Sequence, residues 1–144
     1  MHIIKGDISI DDRGSVSYVN DFDFKNVKRF YIVENHQVGF IRAWHAHKLE
    51  AKYVQVVSGS AMIAGVKIDG NWENPSKNLE ISKFVLSEKK PSILYIPEGY
   101  ANGFKTLTPQ TKIIFYSTSK LDDSLNDDYR FKFDYWNPWN FEYR

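Results

Sequence analysis

Short runs of β-branched and aromatic residues, each cut off by a turn signal, dominate this 144-residue chain and leave little room for helices. Segments 27–33, 52–57, 61–68, 83–86, 93–96 and 112–117 are the expected strands, and 3–10 and 16–19 a further pair near the amino end. Between them stand Ser58-Gly59-Ser60, Asp69-Gly70-Asn71 and Pro97-Glu98-Gly99, all turn chemistry. Asp69-Gly70 is expected to close a hairpin, since glycine reaches positive φ without a Cβ penalty. Asp12-Arg13-Gly14-Ser15 is expected to link the two amino-terminal strands. Helical periodicity is weak: only 122–129 reads as a turn or short helix, with Asp122 or Asp123 near its start. The pattern predicts an all-β jelly-roll of eight to ten strands, a fold that curls to remove most of its exposed edges.

Length and charge narrow the function. One domain spanning 1–144 is expected, because the chain is long enough for one core and short for two. Lys and Arg number 19 against 18 Asp and Glu, so no long-range field favours nucleic acid or an anionic membrane. No apolar segment approaches the roughly 18–20 residues that span a bilayer. The start, Met1-His2-Ile3-Ile4-Lys5-Gly6, has no apolar leader core, and the absence of cysteine fits a reducing compartment. A cytoplasmic protein is expected. The tail Tyr135-Trp136-Asn137-Pro138-Trp139-Asn140-Phe141 is aromatic yet broken by proline, and is expected to pack across an open barrel end or a subunit contact.

The chemistry concentrates in one stretch, Gly39-x5-His45-x-His47-x4-Lys52-x6-Gly59. Residues two apart on a strand share a face, so His45 and His47 point the same way, and Lys52 joins them if it faces inward with Val54 and Val56. Buried lysine is rare unless paired or functional. A nearby ammonium favours neutral imidazole, a usable base at pH 7, and it also stabilises an oxyanion. Base plus oxyanion holder is the minimum for removing a proton next to a carbonyl.

This stretch resembles the first motif of the cupin β-barrels, in which two His and a Glu bind a divalent metal; here Lys52 stands at the Glu position. The second cupin motif, P-x-G-x-x-H, is matched by Pro97-Glu98-Gly99-Tyr100-Ala101-Asn102, with Asn102 at the His position. The resemblance implies a double-stranded β-helix of cupin type, and the replaced ligands point to chemistry by His and Lys with no metal and no cofactor.

Two enzyme groups share more of the chain. Lys28-Arg29-Phe30-Tyr31, Arg42-Ala43-Trp44-His45-Ala46-His47-Lys48 and Ser58-Gly59-Ser60 resemble the nucleotide-sugar 3,4-ketoisomerases. Arg42–His47, residues 51–56 and especially 96–104 are similar to the dTDP-4-dehydrorhamnose 3,5-epimerases. The resemblance runs from about Asp12 to Tyr129. It implies an epimerase acting on a nucleotide-linked, dTDP-type 4-keto-6-deoxyhexose for polysaccharide synthesis, or a ketoisomerase moving the ketone from C4 to C3. A sugar-nucleotide-binding cupin without turnover is the reading from another class. In the enzyme readings His45 takes the proton alpha to the ketone, His47 assists, and Lys52 holds the enolate oxygen. Tyr31 and Tyr116 match tyrosines of the ketoisomerases and epimerases respectively. Arg13 and Arg42 fit a diphosphate, whose oxygens a guanidinium meets bidentately; Asn102 and Gln55 complete the substrate-binding set. The partner implied is a nucleoside-diphosphate sugar, with a second copy of the chain sharing amino-terminal strands in a homodimer.

Overall fold

The computed structural model describes residues 1–141. The strands are β1 (His2–Lys5), β2 (Asp7–Asp11), β3 (Gly14–Tyr18), β4 (Arg29–Glu34), β5 (Ile41–Ala46), β6 (Lys52–Ser58), β7 (Ser60–Lys67), β8 (Ile81–Ser87), β9 (Ser92–Ile96), β10 (Tyr100–Thr106), β11 (Lys112–Ser117) and β12 (Tyr129–Arg130). One helix, α1 (Leu121–Asn126), precedes β12. Two five-stranded antiparallel sheets form, ordered β1-β9-β6-β11-β4 and β12-β5-β10-β7-β8, and β2 pairs only with β3. This is the all-β cupin jelly-roll.

Alternation along the strands sorts the residues into two cores. Val54, Val56, Ile63, Leu86, Leu94, Ile96, Ile113 and Phe115 fill the space between the sheets. The other parity of the second sheet, with Trp44, Met62, Ala64, Val66 and Ala101, meets Trp136 and Trp139 on its outer side. Strand β7 is therefore buried on both faces, which is why Ala61–Val66 reads as an unbroken apolar run instead of an alternating one. The aromatic tail covers an outer sheet face and not a barrel end. Its indoles are satisfied by backbone: Trp136 Nε1 donates to the Ser76 carbonyl at 3.0 Å and Trp139 Nε1 to Phe133 at 2.8 Å. Covering this face is worth burying two indoles that water would otherwise solvate poorly.

Gly59 makes the corner from one sheet to the other between β6 and β7. Its φ is +72°, and a Cβ there would sit 2.5 Å from the hydroxyls of both Thr108 and Thr111. Segment 3–10 is not one strand. It divides at Gly6, whose amide donates to the Pro91 carbonyl at 2.9 Å, sending β1 to the first sheet and β2 to the hairpin. Asp69-Gly70 does turn, with Gly70 at φ +72°, but lies in a long connection from β7 to β8 and closes no tight hairpin. Strands β5, β10 and β12 add to the expected set. Arg, Trp and His in β5 and Asn102-Gly103 in β10 mask their β character, and pairing supplies what propensity lacks. Among the described residues no helix is long and apolar enough to cross a membrane.

Candidate active site

A cavity of about 270 Å³ opens between the two sheets, beyond the apolar core. Val33, Phe104 and Phe115 form an apolar wall, and α1 contributes Ser124 and Leu125. Four cationic side chains line it (Arg29, Arg42, Lys52 and Arg130) against one carboxylate, Asp128. A space so lined suits an anionic ligand with an apolar edge.

The second sheet delivers Arg42 and the histidines through an irregularity. Asn102 pairs with His45 and Phe104 with Arg42, so β5 spends one more residue than β10 over this interval. The extra residue resets the alternation, and Arg42 and His45, three apart, both reach the cavity. Gly103 faces this bulge; a Cβ on it would strike the Cβ of Ala43, so only glycine fits. Asn102 Nδ2 donates to the His45 carbonyl at 3.0 Å and fixes the same pairing.

His45 is driven down to about 4, first by burial and then by the Arg130 and Lys52 cations. Its ring is a neutral imidazole at neutral pH. His47 Nδ1 lies 2.6 Å from the Asp127 carbonyl. A carbonyl only accepts, so Nδ1 carries the proton and Nε2 is the bare, basic nitrogen. The Asp127 carboxylate meanwhile accepts from the Lys48 and Leu49 amides at 3.0 and 2.7 Å, tying down the turn after His47.

The first sheet delivers Lys52, Arg29 and Tyr31. Lys52 faces inward on β6 with Val54 and Val56 and is only 5% exposed. Burial pulls its ammonium below the ordinary lysine range; Glu50, 3.8 Å away, pulls it back. Tyr31 stacks on Phe115 with centroids 5.2 Å apart and planes 5° apart, and the Arg29 guanidinium lies over its ring, 5.2 Å from the centroid. Burial, and secondarily the Glu50 charge, raise the phenol well above its usual range, so it stays a donor. A small substrate between the sheets meets His45 from one side and Tyr31 and Lys52 from the other.

Six of the nine residues expected from sequence line this cavity: His45, His47, Lys52, Tyr31, Arg42 and Asn102. Three do not. Tyr116 and Gln55 sit on the outer face of the first sheet, where the Tyr116 hydroxyl donates to Gln55 Oε1 at 3.2 Å among Phe22, Phe24 and Phe30. The reason is parity: on β11 the inward set is Ile113, Phe115 and Ser117, and on β6 it is Lys52, Val54 and Val56. Arg13 stands at the tip of the β2–β3 hairpin, ion-paired with Asp11 and largely in solvent. Arg29, Glu50, Asp128 and Arg130 join the site without having been singled out. Glu50 had a legible signal, its i−2 relation to Lys52; Asp128 and Arg130 had none, since the strand that Asp128 precedes and Arg130 ends is two residues long.

The donor set does not match the metal site of the motif. Lys52 replaces the Glu, Asn102 turns its amide nitrogen to a backbone carbonyl, and among the described residues no group of three His, Cys, Asp or Glu is gathered as ion ligands.

Comparison with known proteins places the chain by family and fold. The Bacillus subtilis spore coat polysaccharide biosynthesis protein SpsL is 30% identical over 111 residues, covering 74% of this chain and 71% of that protein. The Mycobacterium tuberculosis rmlC epimerase superimposes with a TM-score of 0.73 at 21% identity, over 89% of this chain and 66% of that one. This chain therefore spans about two thirds of that enzyme's length. A 3,4-ketoisomerase from Helicobacter canadensis superimposes with a TM-score of 0.67 at 17% identity, over 93% and 92%. The family model described as dTDP-4-dehydrorhamnose 3,5-epimerase matches residues 1–133, nearly the whole chain, and the chain belongs to that family.

Proposed function

We propose that the protein epimerises a dTDP-linked 4-keto-6-deoxyhexose by moving a proton alpha to the ketone, without a metal, in the cytoplasmic synthesis of a surface polysaccharide. The observation that carries this is the convergence on one cavity of two neutral imidazoles from one sheet and of an ammonium and a phenol from the facing sheet. An imidazole of the His45–His47 pair takes the proton from the carbon beside C4, and the C–H electrons move onto the ketone oxygen as an enolate. Lys52 holds that oxygen, contributing the electrostatic part of catalysis. Tyr31, on the facing sheet, donates its proton to the carbon from the other side, inverting it. The phenolate then recovers a proton through solvent at the expense of the imidazolium, and the balance is restored. Val33, Phe104 and Phe115 suit the methyl of a 6-deoxy sugar, while Arg42 and Arg130 suit the diphosphate. The role in a polysaccharide is supported by the relative's part in spore coat polysaccharide synthesis.

Assembly belongs to the same proposal. The β2–β3 hairpin pairs with no other strand and leaves Ile10 79% and Val16 65% exposed. A homodimer that covers the hairpin gives those side chains a partner, and Arg13 at its tip then serves the diphosphate of the neighbouring copy.

Ketone migration from C4 to C3 is the second reading, favoured by Tyr31 in the cavity and Tyr116 outside it, since Tyr31 matches the ketoisomerase tyrosine. The test is incubation with dTDP-4-keto-6-deoxyglucose in heavy water, followed by NMR of the sugar. Deuterium at C3 or C5 with an inverted centre supports epimerisation. A 3-keto product supports migration instead. Saturable binding with no deuterium incorporated leaves a sugar-nucleotide-binding cupin and ends the enzymatic reading.

A further inference from the structure

Glu50 is the most enclosed charged group in the molecule's working end, and the proton chemistry proposed above gives it no task. It is 3% exposed. Its Oε1 accepts from the Ser117 hydroxyl at 2.9 Å and lies 3.5 Å from an Arg29 nitrogen and 3.8 Å from Lys52 Nζ. Its Oε2 has no hydrogen-bond partner among the described residues and lies 3.6 Å from His47 Nδ1. A buried carboxylate is costly unless the cations around it return the lost hydration. Arg29 is already engaged, its Nε donating to the Ser119 carbonyl at 3.1 Å. A residue needed only to neutralise Arg29 would not need a second oxygen turned towards a histidine.

We propose that Glu50 is a positioning residue for the proton transfer: shared between Lys52 and His47, its carboxylate keeps the first an ammonium and turns the Nε2 of the second to the substrate. The inference rests on the epimerase reading of this cavity and adds a residue to it. Two acceptors then compete for the same His47 N–H, the Asp127 carbonyl at 2.6 Å and Glu50 Oε2 at 3.6 Å. Positive charge forming on the ring draws Glu50 closer, so the imidazolium is stabilised as it appears. His45 is answered differently: Arg130 and Lys52 lower it and the Asp128 carboxylate opposes them, leaving it low overall. The groups that face Glu50 and its two clients are Arg29 and Tyr31 from β4, Lys52 from β6, His45 and His47 from β5 and its end, and Asp127, Asp128 and Arg130 from the chain entering β12. Glu50 opposes the burial of both clients, raising Lys52 and His47 alike.

Two measurements test this, one of them free of substrate. The first is the pH dependence of deuterium exchange into the keto-sugar for the unaltered protein, Glu50→Gln and Glu50→Asp. Removing the charge while keeping the Ser117 contact lowers kcat about tenfold or more with KM nearly unchanged, and moves both limbs of the profile to lower pH by about one unit. Glu50→Asp keeps the limbs in place and recovers part of the rate. A Gln variant that loses rate with both limbs unmoved overturns the proposal, since a merely structural residue behaves so. The second is 15N NMR of the histidine rings in the unaltered, substrate-free protein, which needs no folded variant. His47 is expected as the Nδ1–H tautomer and to protonate at higher pH than His45. Protonation of His47 at or below the pH of His45 overturns the role of Glu50. If the unaltered protein exchanges no deuterium, the epimerase reading fails on its own, and the same NMR titration of Glu50→Gln still decides the role of Glu50: His47 protonating at lower pH than in the unaltered protein supports it, and an unchanged pH overturns it.

Discussion

One strand, β6, runs through two different environments: its inward face carries Lys52 at one end and Val54 and Val56 at the other. Around Val54 and Val56 the space between the sheets is filled by Leu86, Leu94, Ile96 and Ile113, while around Lys52 it holds Glu50, Arg29, two histidines and a cavity. The apolar end gains stability from contact and dehydration. The charged end spends it, because each buried ion must be compensated by another. The lesson is that a jelly-roll can leave one end of its interior unfilled, provided the apolar other end holds the two sheets together.

Substitutions at the two ends should therefore separate activity from stability. The largest expected effect is at the charged end: Lys52→Met keeps the length and loses the ammonium, lowering kcat for isotope exchange by about 10²–10³-fold. A Met variant retaining a tenth or more of the exchange rate would remove Lys52 from the mechanism. The mirror experiment is Leu94→Ala, fully buried in the apolar end, which should cost about 2–5 kcal/mol in urea unfolding and leave kcat per folded molecule unchanged. Equal losses of activity in both variants would erase the distinction between the ends.

Acid should find the charged end first. His45 is held at about 4 when folded and titrates near the ordinary value for histidine when unfolded. The unfolded chain thus binds more protons between those limits, so stability is full above about pH 6.5 and falls as pH drops towards 4. Urea midpoints at pH 7 and pH 5 should differ less in His45→Gln than in the unaltered protein; an unchanged difference would show that His45 is not a source of acid sensitivity. The smallest effect is expected from Tyr116→Phe on the outer face. It deletes one hydrogen bond to Gln55, worth about 0.5–1.5 kcal/mol, and should leave exchange within about twofold. A tenfold fall in kcat would restore Tyr116 to the chemistry.

The strands that read clearly from composition, β4, β6, β7, β9 and β11, are those whose Val, Ile, Phe and Tyr meet an apolar neighbour on at least one face. Those that did not, β5, β10 and β12, supply one wall of the site, and their Arg and His serve the cavity more than the sheet. His45, His47 and Lys52 were legible because their spacing is a local property of two strands. Arg42 followed as a neighbour in the same motif, although its inward aim depends on the bulge opposite Gly103. Tyr116 and Gln55 lie outside the cavity because a resemblance gives a position in the chain, whereas the face of the sheet follows from register.

Sequence alone determined the β architecture and the histidine pair with its lysine, since each depends on residue type and short spacing; that Lys52 and Asn102 stand at ligand positions of the cupin motifs came from the resemblance. Tertiary structure decided which phenol faces the imidazoles, that Glu50 stands between Lys52 and His47, and that the tryptophan tail seals the outside of a sheet. Those are meetings between segments up to about ninety residues apart, such as Arg29 with Ser119 and Trp44 with Trp136. No local pattern encodes them; they exist only because two sheets pack in one register, with one bulge, around one shared interior.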